Sequence, residues 1–180
     1  GGLGARRGRD VLSEQTRGEA TDTRDGGQNE RGCAQFDKTG RDYRWITSGG
    51  AGTMGFGMRA AIGAQFGRPD HQVWAVVGDG GFQMTMPELA TAATAKLPIK
   101  VLIINNAYLG MVRQWQEMFF ENRYSGVDLE GNPDFVELAE SFGCKGFRIR
   151  RSGDVRRILQ QAIDYNEGPC IIHAECEKED

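Results

Sequence analysis

Two short apolar runs constrain this chain more than any other feature: "VWAVV" at residues 73–77 and "IKVLIIN" at residues 99–105. Neither alternates with polar residues, so each needs cover on both faces, which is how strands of a parallel sheet read. Both stop at loops rich in chemistry. The first runs into Gly78-Asp79-Gly80-Gly81, the second into Asn105-Asn106. Weaker runs, "GFRIR" near 146–150 and "CIIHAE" near 170–175, add two further strands.

Between these strands lie helical patterns at residues 56–66, 86–96, 109–120, 133–142 and 154–165. In the second, Leu89, Ala92 and Ala93 fall three and four apart, and Pro87 suits a first turn. Strand–helix alternation predicts an α/β fold, a parallel sheet with helices on both faces. Ligands of such sheets bind beyond the carboxyl ends of the strands. Asp79 and Asn106 each sit just past such an end.

Residues 1–44 differ in kind. Only nine of these 44 residues are hydrophobic, against nine basic and eight acidic ones. Such a stretch buries too little apolar surface to offset its ordering entropy, so it is expected to be irregular, with the globular domain spanning 45–180. A net charge of -3 argues against a nucleic-acid partner. No apolar run is long enough to span a bilayer, and no secretory signal pattern opens the chain. The four cysteines show no zinc or redox spacing and read as reduced thiols. A soluble, intracellular protein is the expectation.

If the two strong strands are neighbours, Asp79 and Asn106 face each other at the ligand edge. A carboxylate oxygen, an amide oxygen and a backbone carbonyl make a hard oxygen site, suited to Mg²⁺ carrying phosphate oxygens. Gly80 and Gly81, without Cβ atoms, let a diphosphate approach their N–H groups. The bland reading is that Asp-Gly is a common turn and Asn-Asn ordinary loop chemistry. What separates the two is the joint spacing: G-D-G, twenty-four residues, then N-N, each half closing an apolar strand.

A rival pattern lies upstream. "GAGTMG" at 50–55 satisfies the G-x-G-x-x-G of dinucleotide binding, but "RWIT" before it is a poor strand, and the acid that follows, Asp70, sits in a polar turn.

The joint spacing resembles the signature of thiamine diphosphate enzymes. More specifically, the chain from Trp45 to about Glu175 resembles the C-terminal, diphosphate-binding domain of the acetolactate synthase (acetohydroxyacid synthase) large subunit. The resemblance runs through "WITSGGAGTMGFG", "GDGGFQM", "LPIKVLIINNAYLGMVRQWQEMF", "NRYS" and "NPDFVELAESFG". Glyoxylate carboligase shares part of "NNAYLG", but "MVRQWQ" and "NPDF" are similar to acetolactate synthase.

The resemblance implies that Asp79 and Asn106 ligate Mg²⁺ through their side chains and Tyr108 through its backbone oxygen. It implies Gly80 and Gly81 against the diphosphate of thiamine diphosphate, and the backbone of Gly52 and Met54 on its aminopyrimidine. Met54 would wedge the cofactor into a bent shape, and Gly110 and Met111 would border it. Trp115 would favour a 2-ketobutyrate acceptor over a second pyruvate. Read without the resemblance, Met54 is loop filler, and Trp115 with Phe119 one turn on signals core packing or an interface. His71 in a turn and His173 in a strand are not expected to be catalytic.

Gln28 corresponds to a diphosphate-holding Gly-Gln-His-Gln segment of the family, but Asn29 and Glu30 depart from it. Whole enzymes of the family carry an FAD-binding domain and a pyrimidine-binding domain whose glutamate activates the cofactor. No catalytic residue is therefore expected in these 180 residues, and Glu88 and Glu117 are not assigned that role. A homodimer or an added pyrimidine-binding domain would complete the site, with a regulatory subunit among the family's partners. The implied location is the cytoplasm, or a plastid in a plant. The alternatives are a non-catalytic remnant that keeps the fold, and another thiamine diphosphate carboligase.

Overall fold

The computed structural model describes residues 20–25 and 45–176. A six-stranded, wholly parallel sheet runs β2-β1-β3-β4-β6-β5. Its strands are β1 Thr21–Arg24, β2 Trp45–Thr47, β3 Val73–Gly78, β4 Lys100–Asn105, β5 Lys145–Ile149 and β6 Cys170–Glu175. The helices are α1 Phe56–Gly67, α2 Asp79–Gln83, α3 Leu89–Thr94, α4 Gly110–Phe119, α5 Phe135–Ser141 and α6 Val155–Asp164. This is the expected α/β architecture.

The unbroken apolar runs have the predicted cause. Successive side chains of a strand point to opposite faces, so β3 and β4 feed two cores at once. Trp74, Val76, Leu102 and Ile104 pack with Val155, Ile158, Leu159 and Ala162 of α6. Val73, Ala75, Val77, Val101 and Ile103 pack on the other face with Met58, Leu89, Phe135 and Ala139. The polar member of the β4 run, Lys100, is fully buried and donates to Tyr165 O and Asn166 Oδ1 at the end of α6. Burial pushes the thiols of Cys144 and Cys170 up to about 11 and about 12, so both stay protonated and inert at neutral pH. Cys33 lies outside the described residues.

Three expectations change. The stretch after β3 that reads as a loop opens the short helix α2, Asp79–Gln83. Within the stretch read as irregular, Thr21–Arg24 forms β1, an interior strand paired with both β2 and β3. It has no apolar run, and several of its polar groups find partners inside the fold instead. The fully buried Thr23 donates to Gly57 O at 2.7 Å, and Arg24 pairs with Asp22 at 2.9 Å while lying over the Trp45 ring. The weak "RWIT" segment does contain a strand, the short edge strand β2.

One ion-pair system ties α5 to β5 and β6. Asp134 accepts from the N–H groups of Val136 and Glu137 as the N-cap of α5, and also pairs with Arg148, which reaches Glu175 at 2.8 Å. Arg148 holds the Asp134 carboxyl below its ordinary pKa. A lowered folded-state pKa stabilises above the unfolded value and is lost as pH falls through the folded one. An Asp134→Ala variant is thus expected to unfold in less urea than the parent at pH 7. The gap should close as the pH is taken below the carboxylate range.

Candidate functional site

At the carboxyl edge, Gly78 of β3 is paired with Ile104 of β4. The next residues therefore emerge side by side: Asp79 at the start of α2, Asn105 and Asn106 at the end of β4. A cavity of about 260 Å³ opens there. Its lining includes Gly52, Met54, Asp79, Gly80, Gly81, Asn106, Tyr108, Gly110 and Met111, all anticipated from the sequence, along with Asp25, Gly78, Leu109 and Val112. Four chain segments far apart in sequence meet in one place. The first turn of α4, the end of a helix that carries partial positive charge, borders the same space.

Asp79 is 1% exposed. Burial raises its pKa, opposed by hydrogen bonds from the Asn132 side chain and from the backbone N–H groups of Asp79 itself, Gly80 and Ala107. No cationic side chain pairs with it among the described residues. A buried carboxylate at a cavity wall without a counter-charge is costly unless a cation is supplied from outside. Asn106 lines the same cavity, and a carboxylate with an amide there offers hard oxygens of the kind that fit Mg²⁺. The described residues hold no cluster of three His, Cys, Asp or Glu side chains able to bind a metal. A site built from one acid, one amide and one carbonyl needs no such cluster.

The loop after β4 is tightly held. Asn106 Oδ1 accepts from Tyr108 N–H at 3.2 Å, and Asn105 Oδ1 from Ala107 N–H at 3.0 Å. Ala107 adopts φ 58°, a left-handed conformation disfavoured for alanine. The segment 127–132 clamps it: Leu109 N–H donates to Val127 O, and Leu129 N–H to Ala107 O.

Gly81 has a purpose within the fold itself. A Cβ on Gly81 would strike the Asp25 carboxylate, and one on Gly80 would lie 2.6 Å from Leu109 Cδ2. Asp25 in turn accepts Gly57 N–H at 2.6 Å, tying β1 to the start of α1.

Trp115 does not line the cavity. It lies on α4, 51% exposed, and Phe119 is more exposed still, so neither packs in this chain's core. Gln28 lies outside the described residues. Glu88 pairs with Arg59, and Glu117 with Arg113 and Tyr124, both away from the cavity. His71 sits in the turn before β3, and His173 is buried in β6, bonded to Asn105, as expected. Sequence reading missed Asp25 and Asn132. The second stands in the quoted "NPDF" and was legible as a motif, not as a partner of Asp79. The dinucleotide reading gains its strand from β2 but fails on Asp70, which precedes β3 and so lies at the amino edge of the sheet.

The family model for the thiamine pyrophosphate enzyme C-terminal TPP binding domain matches residues 25–174. The chain is 50% identical over 150 residues to an acetolactate synthase of Mycobacterium avium, covering 81% of this chain and 24% of that protein. It is 43% identical over 162 residues to the acetolactate synthase isozyme 2 large subunit of Escherichia coli, covering 90% and 29%. To the acetolactate synthase large subunit of Porphyra purpurea it is 46% identical over 163 residues, covering 90% and 27%. The chain thus spans about a quarter of the length of these curated relatives. No described helix is long and apolar enough to cross a membrane. The match over most of the chain, on a sheet whose carboxyl edge gathers the acid, the amide and the glycines, makes this chain a member of the thiamine pyrophosphate enzyme family through its C-terminal TPP-binding domain.

Proposed function

We propose that this chain is the thiamine diphosphate- and Mg²⁺-holding portion of an acetolactate synthase catalytic subunit, which joins pyruvate to a second 2-keto acid. The observation that carries the reading is the meeting of Asp79 and Asn106 on one cavity wall, in a chain whose relatives are acetolactate synthases. Those names favour it over a glyoxylate carboligase. When bound, the cofactor supplies the carbanion chemistry, and the protein supplies placement and charge.

Asp79 and Asn106 hold the metal through side-chain oxygens, with the Tyr108 carbonyl as a third donor. Gly80 and Gly81 take the diphosphate, beside the first turn of α4 at Gly110 and Met111. Gly52 and Met54 hold the aminopyrimidine, and the half-exposed Met54 side chain shapes the wall beneath it. Trp115, on the exposed face of α4, selects the acceptor once a partner surface brings substrate to it. The activating glutamate comes from a pyrimidine-binding domain on a second subunit.

Calorimetric titration of the 180-residue chain tests the reading. Thiamine diphosphate should bind only when Mg²⁺ is present, and NAD should give no heat. Pyruvate should yield no acetolactate until a pyrimidine-binding domain is added. No heat at millimolar cofactor with Mg²⁺ would return the chain to the status of a remnant that keeps the fold.

A further inference from the structure

We infer that Gln83, Asn132 and Asn105 form a relay of side-chain amides that aims the Asp79 carboxylate, making Asn132 a positioning residue for the metal site. The inference rests on the reading of Asp79 as a metal ligand. Asn132 Nδ2 donates to Asp79 Oδ2 at 2.6 Å and to Asn105 Oδ1 at 3.1 Å. Turned over, the same amide would present its oxygen to two acceptors. Gln83 prevents this, because its Nε2 donates to Asn132 Oδ1 at 2.6 Å and commits that oxygen.

Asn105 is committed in the same way. Its Oδ1 takes the Ala107 N–H at 3.0 Å, which leaves its Nδ2 facing Nε2 of the buried His173 at 2.9 Å. Asn132 and Asn105 are thus each oriented by their neighbours, and one branch of the donors ends on the carboxylate. The same bonds hold Ala107 in its left-handed conformation, with Leu129 N–H closing on Ala107 O at 2.8 Å. Ala107 lies between Asn106 and Tyr108, so one network sets both the acid and the loop that carries the other two metal donors. Replacing groups that orient metal ligands in this way commonly weakens metal binding by roughly 10–100-fold.

Gln83→Glu tests it without touching a metal donor and with almost no change of shape. A carboxylate at position 83 accepts where the amide donated, so Asn132 turns its Nδ2 toward residue 83 and its oxygen toward Asp79. By charge alone an added acid near a divalent cation would tighten binding; lost orientation predicts the opposite sign. Mg²⁺ is titrated calorimetrically into the full 180-residue chain at saturating thiamine diphosphate, with circular-dichroism melts alongside. Mg²⁺ should bind roughly ten-fold more weakly in Gln83→Glu, and also in Asn132→Ala, with the melting temperature of Gln83→Glu close to the parent's. Unchanged or tighter Mg²⁺ binding by Gln83→Glu overturns the relay while leaving the cofactor reading intact. A parent chain that binds no thiamine diphosphate with Mg²⁺ overturns both. Should Asn132→Ala fail to fold, Gln83→Glu alone decides.

Discussion

Replacing Asp79 with alanine should weaken Mg²⁺-dependent thiamine diphosphate binding by about 3 kcal/mol, roughly a hundredfold, because it truncates one partner of a buried charge pair. The melting temperature of the cofactor-free chain should fall far less. Asp79 is almost wholly buried and has no cationic partner among the described residues, so its removal strands no opposite charge. Asn132 loses one acceptor but keeps Asn105. Calorimetry and thermal melts on the same preparation separate the two effects. Equal losses in both would make Asp79 a structural acid and remove the metal site. Burial also holds the Asp79 pKa above the ordinary 3.8. Protons therefore compete with Mg²⁺ at a higher pH than at a surface acid, and binding should weaken as the solution is acidified.

Gly81→Ala is expected to destabilise the fold by about 3 kcal/mol, combining overpacking with the strain on a charge-assisted hydrogen bond. The added methyl group would overlap Asp25 Oδ2 and lie 3.0 Å from its Cγ. Asp25 has little freedom to swing away, since Gly57 N–H holds its other oxygen at 2.6 Å. Gly80→Ala meets the side-chain tips of Leu109, Leu129 and Met54, which rotate aside, and should cost under about 1 kcal/mol. Urea unfolding of Gly81→Ala with and without Asp25→Ala checks the cause. If the carboxylate is the obstacle, the methyl group becomes nearly harmless once Asp25 is gone, a strong departure from additivity. The same cost in both backgrounds would place the obstacle elsewhere.

The strands and the longer helices from residue 73 onward were legible because each is long enough to show its period or its apolar character; the five-residue α2, read as a loop, is not. β3 and β4 announce themselves by continuous aliphatic runs; α6 shows Val155, Ile158, Leu159 and Ala162 at helical spacing. The interior strand β1 carried no such mark. "TDTR" reads as solvated polar chain, and only the fold supplies Gly57 O, Trp74 O and the Trp45 ring as partners. Trp115 shows the opposite limit. Its spacing to Phe119 was compatible with core or interface, and the fold leaves both side chains exposed and away from the cavity.

The site divides along the same line. The acid, the amide pair and the glycines could be named from the chain alone, since each closes a strand and the spacing between them marks a family. That order is local, carried by strand ends and short loops. Which group orients Asp79 is not local: Asn132 lies 53 positions away and reaches it only because the segment 127–132 folds back on the loop after β4. Gly81, likewise, is needed chiefly because Asp25, 56 residues earlier, is brought against it. From its residues in order, this chain determined a parallel sheet and which polar groups stand at its carboxyl edge. The partners that aim and confine that chemistry were decided by the tertiary structure alone, because hydrogen bonds and close contacts depend on distance in space, which separation along a chain does not encode.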